Sequence, residues 1–199
     1  MELGITCIGN NHYAGARQFA RRVYKERHAV RTDANADAFA YLSNGQMLLG
    51  VFGLYFGHLH NPLLIETFFP DAFASSRDRH QFGELGTRAV DVPPHQTLTS
   101  GTVSLYLSAH LITFAHDHGL RHLGFTTNPS VRHIAKALDF PLTAFGKADL
   151  SRHDAAFRSN WEPFFRVDQC GFTIPVDSVA GCMRVLGEAV QKHAITIKP

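Results

Sequence analysis

The feature that most constrains the fold is a strand, helix and strand unit in the middle of the chain. Residues 82–91 are predicted to form a strand, and Thr99 or Ser100 is a good N-cap for the helix after it. That helix is expected to end at Gly119, which suits a C-cap, and His122–Thr127 is the next predicted strand. Because such crossovers are right-handed, the two strands should be parallel neighbours. The apolar stripe of the helix consists of Val103, Leu107, Leu111 and Phe114.

Two glycines interrupt the first of these strands, Gly83 and Gly86. A glycine inside a strand often marks a bulge or the close approach of another backbone. We therefore expect residues 82–91 to be an irregular strand.

A helix and a hairpin are predicted before this unit. Tyr13–His28 has an apolar face and a basic face at helical spacing. Two apolar runs, 38–42 and 46–55, flank Asn44-Gly45, which is a strong hairpin signal because both residues tolerate positive φ. The remaining predictions are a short strand or helical turn within 63–69, a helix over 128–139, a strand over 141–146, a polar stretch over 147–160 and, in the tail, at least one strand and a helix over 179–193.

Length and composition predict one domain over residues 1–199, because 45% hydrophobic residues can build one sizeable core. The order of the predicted elements makes it an α/β domain with a mixed sheet. The formal charge of +2 is too small for a dedicated nucleic-acid binder. Cys7, Cys170 and Cys182 form no CxxC pair, so a reducing compartment is favoured. Neither a signal peptide nor a bilayer-spanning run is visible, and we expect a cytoplasmic protein without a transmembrane segment.

The order of these elements and several short motifs carry a family resemblance. Residues 128–140 resemble the asparagine, helix and phenylalanine pattern that closes the GNAT superfamily core. The chain also resembles the thermostable haemolysin family, which is similar to the acyl-homoserine-lactone synthases. The landmarks are Ile65-Glu66, Gly83-Glu84-Leu85-Gly86, Phe125-Thr126-Thr127, residues 142–149 and Trp161-Glu162-Pro163-Phe164-Phe165. The resemblance implies a GNAT-like mixed central sheet with splayed parallel strands, flanked by helices.

It also implies an acyltransferase that moves an acyl group, fatty in this family, from an acyl-carrier-protein or CoA thioester to the amino group of a small acceptor. Glu84 is the candidate for deprotonating or orienting the amine, and Arg88 is the second candidate catalytic residue. The alternative is a purely structural role, in which Glu84 is an exposed strand glutamate paired with Arg88. Two further alternatives are a catalytically silent GNAT-like binding module and, ranked last, a membrane-lytic protein.

Candidate binding residues follow from the same resemblance. A helix opening at Ser100-Gly101-Thr102 can offer free N–H groups to a phosphate of the donor. Thr126 and Asn128 are also candidates for donor binding, while Glu66, Trp161 and Phe165 are candidates for substrate binding. An aromatic cluster such as Trp161 and Phe165 is, however, more often ordinary core.

The chain departs from the GNAT pattern at three places. The turn before the helix has one glycine, Gly101, where CoA-using enzymes usually have a fuller glycine-rich signature. Ala135 stands where a tyrosine general acid is common, and Asp139 replaces the usual glycine before Phe140. The single glycine at this turn can be explained in two ways. Either the phosphate is bound loosely, or the donor is a carrier protein whose own surface adds affinity.

Charge and residue spacing give the expectations about partners and metals. The basic face of the first helix consists of Arg17, Arg21, Arg22 and Lys25. It predicts either docking of acidic acyl-carrier protein or a merely solvated surface. His58-x-His60 and His116-x-His118 have no third ligand at a familiar zinc spacing, so no metal site is predicted.

Overall fold

A computed structural model describes residues 1–70, 72, 78–127, 129–165 and 170–198. In these residues the chain forms one open sheet with helices on both faces. The strands are Glu2–Cys7 (β1), Ala38–Asn44 (β2), Met47–Phe56 (β3), Phe82–Val90 (β4), His122–Thr127 (β5), Thr143–Lys147 (β6), Cys170–Pro175 (β7) and Thr196–Ile197 (β8). The helices are Tyr13–His28 (α1), Leu64–Phe68 (α2), Ser100–Asp117 (α3), Pro129–Ala137 (α4), Ala155–Phe165 (α5) and Ala180–His193 (α6).

The strands follow the order β6-β7-β5-β4-β3-β2-β1-β8 across the sheet. Strands β4 and β5 are parallel, as are β1 and β8, and the other neighbouring pairs are antiparallel. The predicted crossover is therefore confirmed, with α3 connecting β4 to β5. The Thr99 hydroxyl accepts the N–H of Thr102 at 3.1 Å and caps this helix as expected.

The parallel strands β4 and β5 pair over only three residues each. Residues 82–84 are in register with residues 122–124, and beyond Glu84 the two strands have no ladder between them. Strand β5 continues instead along β7, as far as the pair of Thr127 with Cys170. This divergence confirms the expected splayed strands and leaves a gap between β4 and β5.

A bulge distorts β4 just beyond Glu84, the last β4 residue that pairs with β5. Gly53 of β3 is in register with Gly86, whereas Val51 is in register with Ala89, so one extra residue lies on β4. Thr87 within the bulge has a φ of 54°, which is uncommon for a residue with a Cβ. The irregularity expected from the strand glycines is therefore confirmed.

Two apolar clusters cover the faces of the sheet. One joins the sheet to α3, α4 and α6, with Leu107 and Cys182 fully buried. The other joins it to α1, α2 and α5, and includes Phe39, Ile65 and Trp161. Because the first residues of α2 cross beside β4, they bring backbone N–H groups up to the gap between the strands.

The segment over 63–69 contains a helical turn, α2, which is one of the two alternatives expected there. Other elements differ from the expectations: the predicted polar stretch over 147–160 contains the start of helix α5. Asp154 begins α5, since its Oδ1 accepts the N–H of Phe157 at 2.8 Å. Strands β1 and β8 were not predicted. Within the described part of the chain, no helix combines the length and apolarity needed to cross a membrane.

Candidate functional site

The gap between the diverging strands is a small cavity, which we call the inter-strand cavity. It has a volume of about 90 Å³. The bulge of β4 and the free half of β5 form two of its sides, and side chains of α1, α2 and α5 close it. Its lining includes Tyr24, His28, Phe68, Glu84, Gly86, Thr87, Arg88, Phe125, Thr126, Trp161 and Phe164.

Glu84 is the acidic residue of this cavity. Its side chain is only 6% exposed, so Glu84 is not the exposed, purely structural strand glutamate that was the alternative to a catalytic role. Oε2 accepts the backbone N–H of Ile65 at 2.9 Å, and the N–H of Leu64 also faces the carboxylate. No ion pair joins it to Arg88 among the described residues. The carboxylate is therefore held by the first turn of α2 and is buried beside the cavity.

This environment changes the proton affinity of Glu84. Its pKa is raised to about 7: burial is the largest cause and the neighbouring charge of Glu66 acts in the same direction, while the N–H groups of Ile65 and Leu64 partly oppose the rise. A carboxyl group that titrates near neutrality can take up and release a proton under ordinary conditions. Glu84 therefore has the properties of a general base.

The β4 bulge beside Glu84 is fixed by two tyrosines. The hydroxyl groups of Thr87 and Tyr55 form a hydrogen bond of 2.5 Å, and the Tyr24 hydroxyl accepts the backbone N–H of Arg88. Burial raises the pKa of Tyr24 to about 12, so its hydroxyl stays protonated at neutral pH. These contacts set the direction of the side chains that follow Glu84.

Arg88 is a largely buried cation at the edge of the cavity. Its Nη1 donates to Ser104 Oγ at 2.9 Å, and no carboxylate pairs with it among the described residues. Burial lowers the pKa of its guanidinium, although the group remains charged because its ordinary pKa is so high. A buried guanidinium with one side-chain hydrogen bond has several donors left for an anion.

A larger, more open groove of about 830 Å³ lies on the other side of Arg88, and we call it the α3 groove. The predicted donor residues Ser100, Gly101 and Thr102 line it together with Ser104 and His133. The Thr99 cap uses the N–H of Thr102, while those of Ser100 and Gly101 have no partner within the helix. The groove therefore offers free donors at the positive end of an 18-residue helix.

The structure brings four of the predicted site residues into one cavity: Glu84, Arg88, Thr126 and Trp161. Ser100, Gly101 and Thr102 lie in the adjoining groove. Asn128 lies outside the described residues.

Two predicted substrate-binding residues are placed elsewhere. Both carboxylate oxygens of Glu66 bind the Arg79 guanidinium, at 3.0 and 2.9 Å, and Oε2 also accepts the N–H of Leu63. Phe165 packs against Phe68 with ring centroids 4.7 Å apart. Neither residue lines the inter-strand cavity, so their part in substrate binding stays a prediction.

Sequence analysis missed the residues that α1 contributes. Tyr24 and His28 lie at the end of that helix and line the inter-strand cavity, although the helix was interpreted only as a core face and a basic face. The available signal was an aromatic and a histidine at i and i+4, which share one side of a helix. In the described part of the chain, no group of three or more histidine, cysteine or acidic residues is placed to hold a metal.

Solved structures with this fold include the AHL synthase LasI, which aligns with a TM-score of 0.61 and 14% identity over 93% of this chain and 92% of its own. The CoA-dependent acyl-homoserine lactone synthase BjaI, solved with SAM and isopentyl-CoA, aligns with a TM-score of 0.65 and 16% identity over 98% and 92%. FeeM, an N-acyl amino acid synthase from uncultured soil microbes, aligns with a TM-score of 0.59 and 15% identity over 88% and 97%.

These similarities show the fold of the chain. The GNAT-like mixed sheet with splayed parallel strands is confirmed by them and by the strand pairing. No protein-family model and no curated protein sequence matches the chain. The resemblance to the thermostable haemolysin family therefore stays a prediction.

Proposed function

We propose that the protein is an N-acyltransferase that moves an acyl group from a thioester to the amino group of a small acceptor. One observation carries the proposal: Glu84, a buried carboxylate with a pKa of about 7, lies where β4 and β5 separate. The two backbones leave a gap there in which an extended thioester arm can pair with free peptide groups. The proposed base and the proposed thioester position thus coincide.

The names of the structural neighbours support the same reaction class. LasI is an acyl-homoserine-lactone synthase, and FeeM is an N-acyl amino acid synthase. BjaI, a CoA-dependent acyl-homoserine lactone synthase, was solved with SAM, an amino-acid derivative, and with isopentyl-CoA, an S-alkyl derivative of CoA. All three align over most of both chains.

Glu84 acts first on the acceptor in this proposal. Its carboxylate binds the acceptor ammonium and takes one proton, because an amine attacks a thioester only in its neutral form. The apolar lining from Phe125 and Trp161 excludes water and strengthens this interaction. The N–H of Ile65 keeps Oε2 in place, and in this proposal Oε1 meets the amine.

Arg88 binds a carboxylate of the acceptor, which makes the acceptor an amino acid or a close derivative. Glu84 and Arg88 line the same small cavity from either side of the β4 bulge. A molecule with an ammonium and a carboxylate on one carbon matches this pair of opposite charges. Arg88 also lacks a carboxylate partner within the described residues, and such a guanidinium favours a bound anion.

The donor occupies the α3 groove, with its phosphate near Ser100 and Gly101 and its thioester at the mouth of the inter-strand cavity. The basic face of α1 adjoins a separate surface depression lined by Arg17, Arg21, Arg22 and Lys25. Arg22 is bound to Asp91 at 2.9 Å, whereas Arg21 and Lys25 are exposed and form no ion pair among the described residues. We propose these last two as contacts for an acidic acyl-carrier protein.

Thiol release from acyl-carrier protein and acyl-CoA donors, measured with a panel of amino acids and followed by mass spectrometry of the product, tests the proposal. The wild-type protein should release thiol in step with the formation of an N-acyl amino acid. Glu84→Gln keeps the side-chain volume and removes the base, so it should lower kcat at least about 100-fold. Binding of donor without any thiol release would instead indicate a catalytically silent binding module.

A further inference from the structure

His28 lies where the inter-strand cavity meets the α3 groove. It is the last residue of α1 and lines both the inter-strand cavity and the α3 groove. Arg88 is the other described residue that lines both. A donor that reaches from the groove to Glu84 must therefore pass these two side chains, with its thioester close to them.

The His28 ring is held in place by aromatic contacts. Its centroid lies 5.4 Å from the Tyr24 ring and 5.7 Å from the Phe164 ring, both in edge-on geometry. Neither ring nitrogen has a hydrogen-bond partner among the described residues. By contrast, the rings of His110 and His153 bond to backbone carbonyls at 3.0 and 2.8 Å. His28 is thus oriented by packing, and its nitrogens remain available to a ligand.

The charges around His28 favour its neutral form. Burial lowers the pKa of the imidazole, and the cations Arg88 on β4 and Arg27 on α1 lower it further. Glu84 lines the same cavity, and His133 of α4 lines the same groove, while Phe164 of α5 offers only an apolar face. A neutral imidazole has one nitrogen free to accept a proton.

We propose that His28 is a catalytic residue that shuttles one proton from the attacking nitrogen to the leaving sulfur. This inference rests on the proposed acyl transfer and deepens it. Glu84 takes the first proton from the acceptor ammonium, and the neutral amine then attacks the thioester carbon. The resulting intermediate has a positive nitrogen and a negative oxygen on one carbon, beside the sulfur.

The rest of the step balances through His28. The imidazole takes the second proton from the nitrogen and becomes an imidazolium. The carbonyl re-forms, the carbon–sulfur bond breaks with its electron pair going to sulfur, and the imidazolium gives its proton to the thiolate. His28 is neutral again, and the proton on Glu84 is released to solvent. Nitrogen and sulfur are bonded to the same carbon, so one imidazole can reach both.

His28→Gln tests the proposal, with His116→Gln as the matched control, because His116 is an exposed histidine near the end of α3. We expect His28→Gln to lower kcat about 100-fold, with KM for donor and acceptor within about twofold of wild type. The control should leave both constants unchanged. An unchanged kcat in His28→Gln, with wild-type protein active, would overturn the shuttle and leave the acyltransferase proposal standing.

A donor with a better leaving group separates proton transfer from packing. An aryl thiolate is less basic than the pantetheine thiolate and needs no proton to leave, so the defect of His28→Gln should shrink at least tenfold with an aryl thioester. An equal defect with both donors would overturn the shuttle. His28→Ala provides a second measurement, since added imidazole should restore part of kcat. Absence of thiol release by wild-type protein would overturn the proposed function and this inference together.

Discussion

Glu84 Oε1 lies 3.2 Å from the position that a Cβ on Gly86 would occupy. The same position is 3.2 Å from Cε2 of Tyr55, so the absence of a side chain at Gly86 leaves room on both sides. Because Oε2 is already bound to the backbone N–H of Ile65, Oε1 is the oxygen available to an acceptor. Gly86 therefore keeps open the space in which the proposed base meets its substrate.

Gly86→Ala should lower kcat/KM by about tenfold or more, because the new methyl group crowds Oε1 and the ring of Tyr55. The expected loss of stability is about 1 kcal/mol, the lower end of the cost of overpacking a filled site. Steady-state kinetics and urea unfolding measure the two effects. Gly187→Ala is the matched control: nothing lies within 4 Å of its added Cβ on α6.

Gly187→Ala should raise the free energy of unfolding by roughly 0.5–1 kcal/mol, because alanine favours a helix more than glycine does, and it should leave activity unchanged. Full activity in Gly86→Ala would show that the space beside Oε1 is not used by a substrate.

The raised pKa of Glu84 makes the stability of the protein depend on pH. The folded-state pKa of about 7 lies above the ordinary value of 4.5, so the folded state binds a proton more tightly than the unfolded state. This contribution to stability is complete below about pH 4.5 and is lost as the pH rises through about 7. At about 1.4 kcal/mol per pH unit, the loss amounts to about 3 kcal/mol.

Urea unfolding of wild type and Glu84→Gln at pH 5, 6, 7 and 8 measures this loss. The difference between the two proteins should change by about 2.5 kcal/mol across that range, in the direction that favours Glu84→Gln at high pH. Glu188→Gln, which removes the carboxylate of an exposed glutamate on α6, is the matched control. Parallel curves for wild type and Glu84→Gln would mean that the carboxyl group titrates at its ordinary pH.

Arg88 illustrates a conflict between stability and function. A largely buried guanidinium without a carboxylate partner among the described residues is costly, because its lost hydration is not replaced by an anion. Arg88→Gln should therefore raise the free energy of unfolding, by about 1 kcal/mol, while raising KM for an amino acid acceptor at least tenfold. Arg88→Lys keeps the charge but loses the forked geometry, and should give an intermediate KM.

Acceptor analogues without a carboxylate complete this test. Their KM should be the same for wild type and Arg88→Gln, since these analogues have no carboxylate for the wild-type guanidinium to bind. If Arg88→Gln impaired amino acids and carboxylate-free amines equally, Arg88 would not be the acceptor's anion site.

Local signals explain which parts of the fold could be predicted. The crossover from β4 through α3 to β5 has a capping threonine, a regular apolar stripe and a terminal glycine, and each signal lies within the element it defines. Helix α5 was missed because Ser159 and Asn160 are poor helix formers and Pro163 lies inside the helix, where proline removes a backbone hydrogen bond. Strand β8 is two residues long, and its only described pairing is with β1 at the other end of the chain.

In the candidate site, too, features with a local signal could be predicted and features that depend on tertiary packing could not. Glu84 could be singled out because the resemblance placed a carboxylate on the first of two splayed strands. Its burial could not be predicted, since it depends on α2 and α5 closing over β4. His28 gave no signal of its own, because a histidine at the end of a basic helix is usually solvated, and only the packing of α1 against β4 brings it to the cavity.

The basic face of α1 makes a separate prediction about the donor. Arg21 and Lys25 are exposed, and neither forms an ion pair within the described residues, so reversing their charges should change association with an acidic partner and little else. The double variant Arg21→Glu, Lys25→Glu should raise KM for acyl-carrier protein about tenfold at low salt, with kcat and KM for acyl-pantetheine unchanged. Added salt should shrink the difference, because the contacts are exposed. Lys192→Glu on α6 provides a charge-reversal control that should leave all constants as they are. Unaltered KM for acyl-carrier protein in the double variant would make this surface an ordinary solvated helix face.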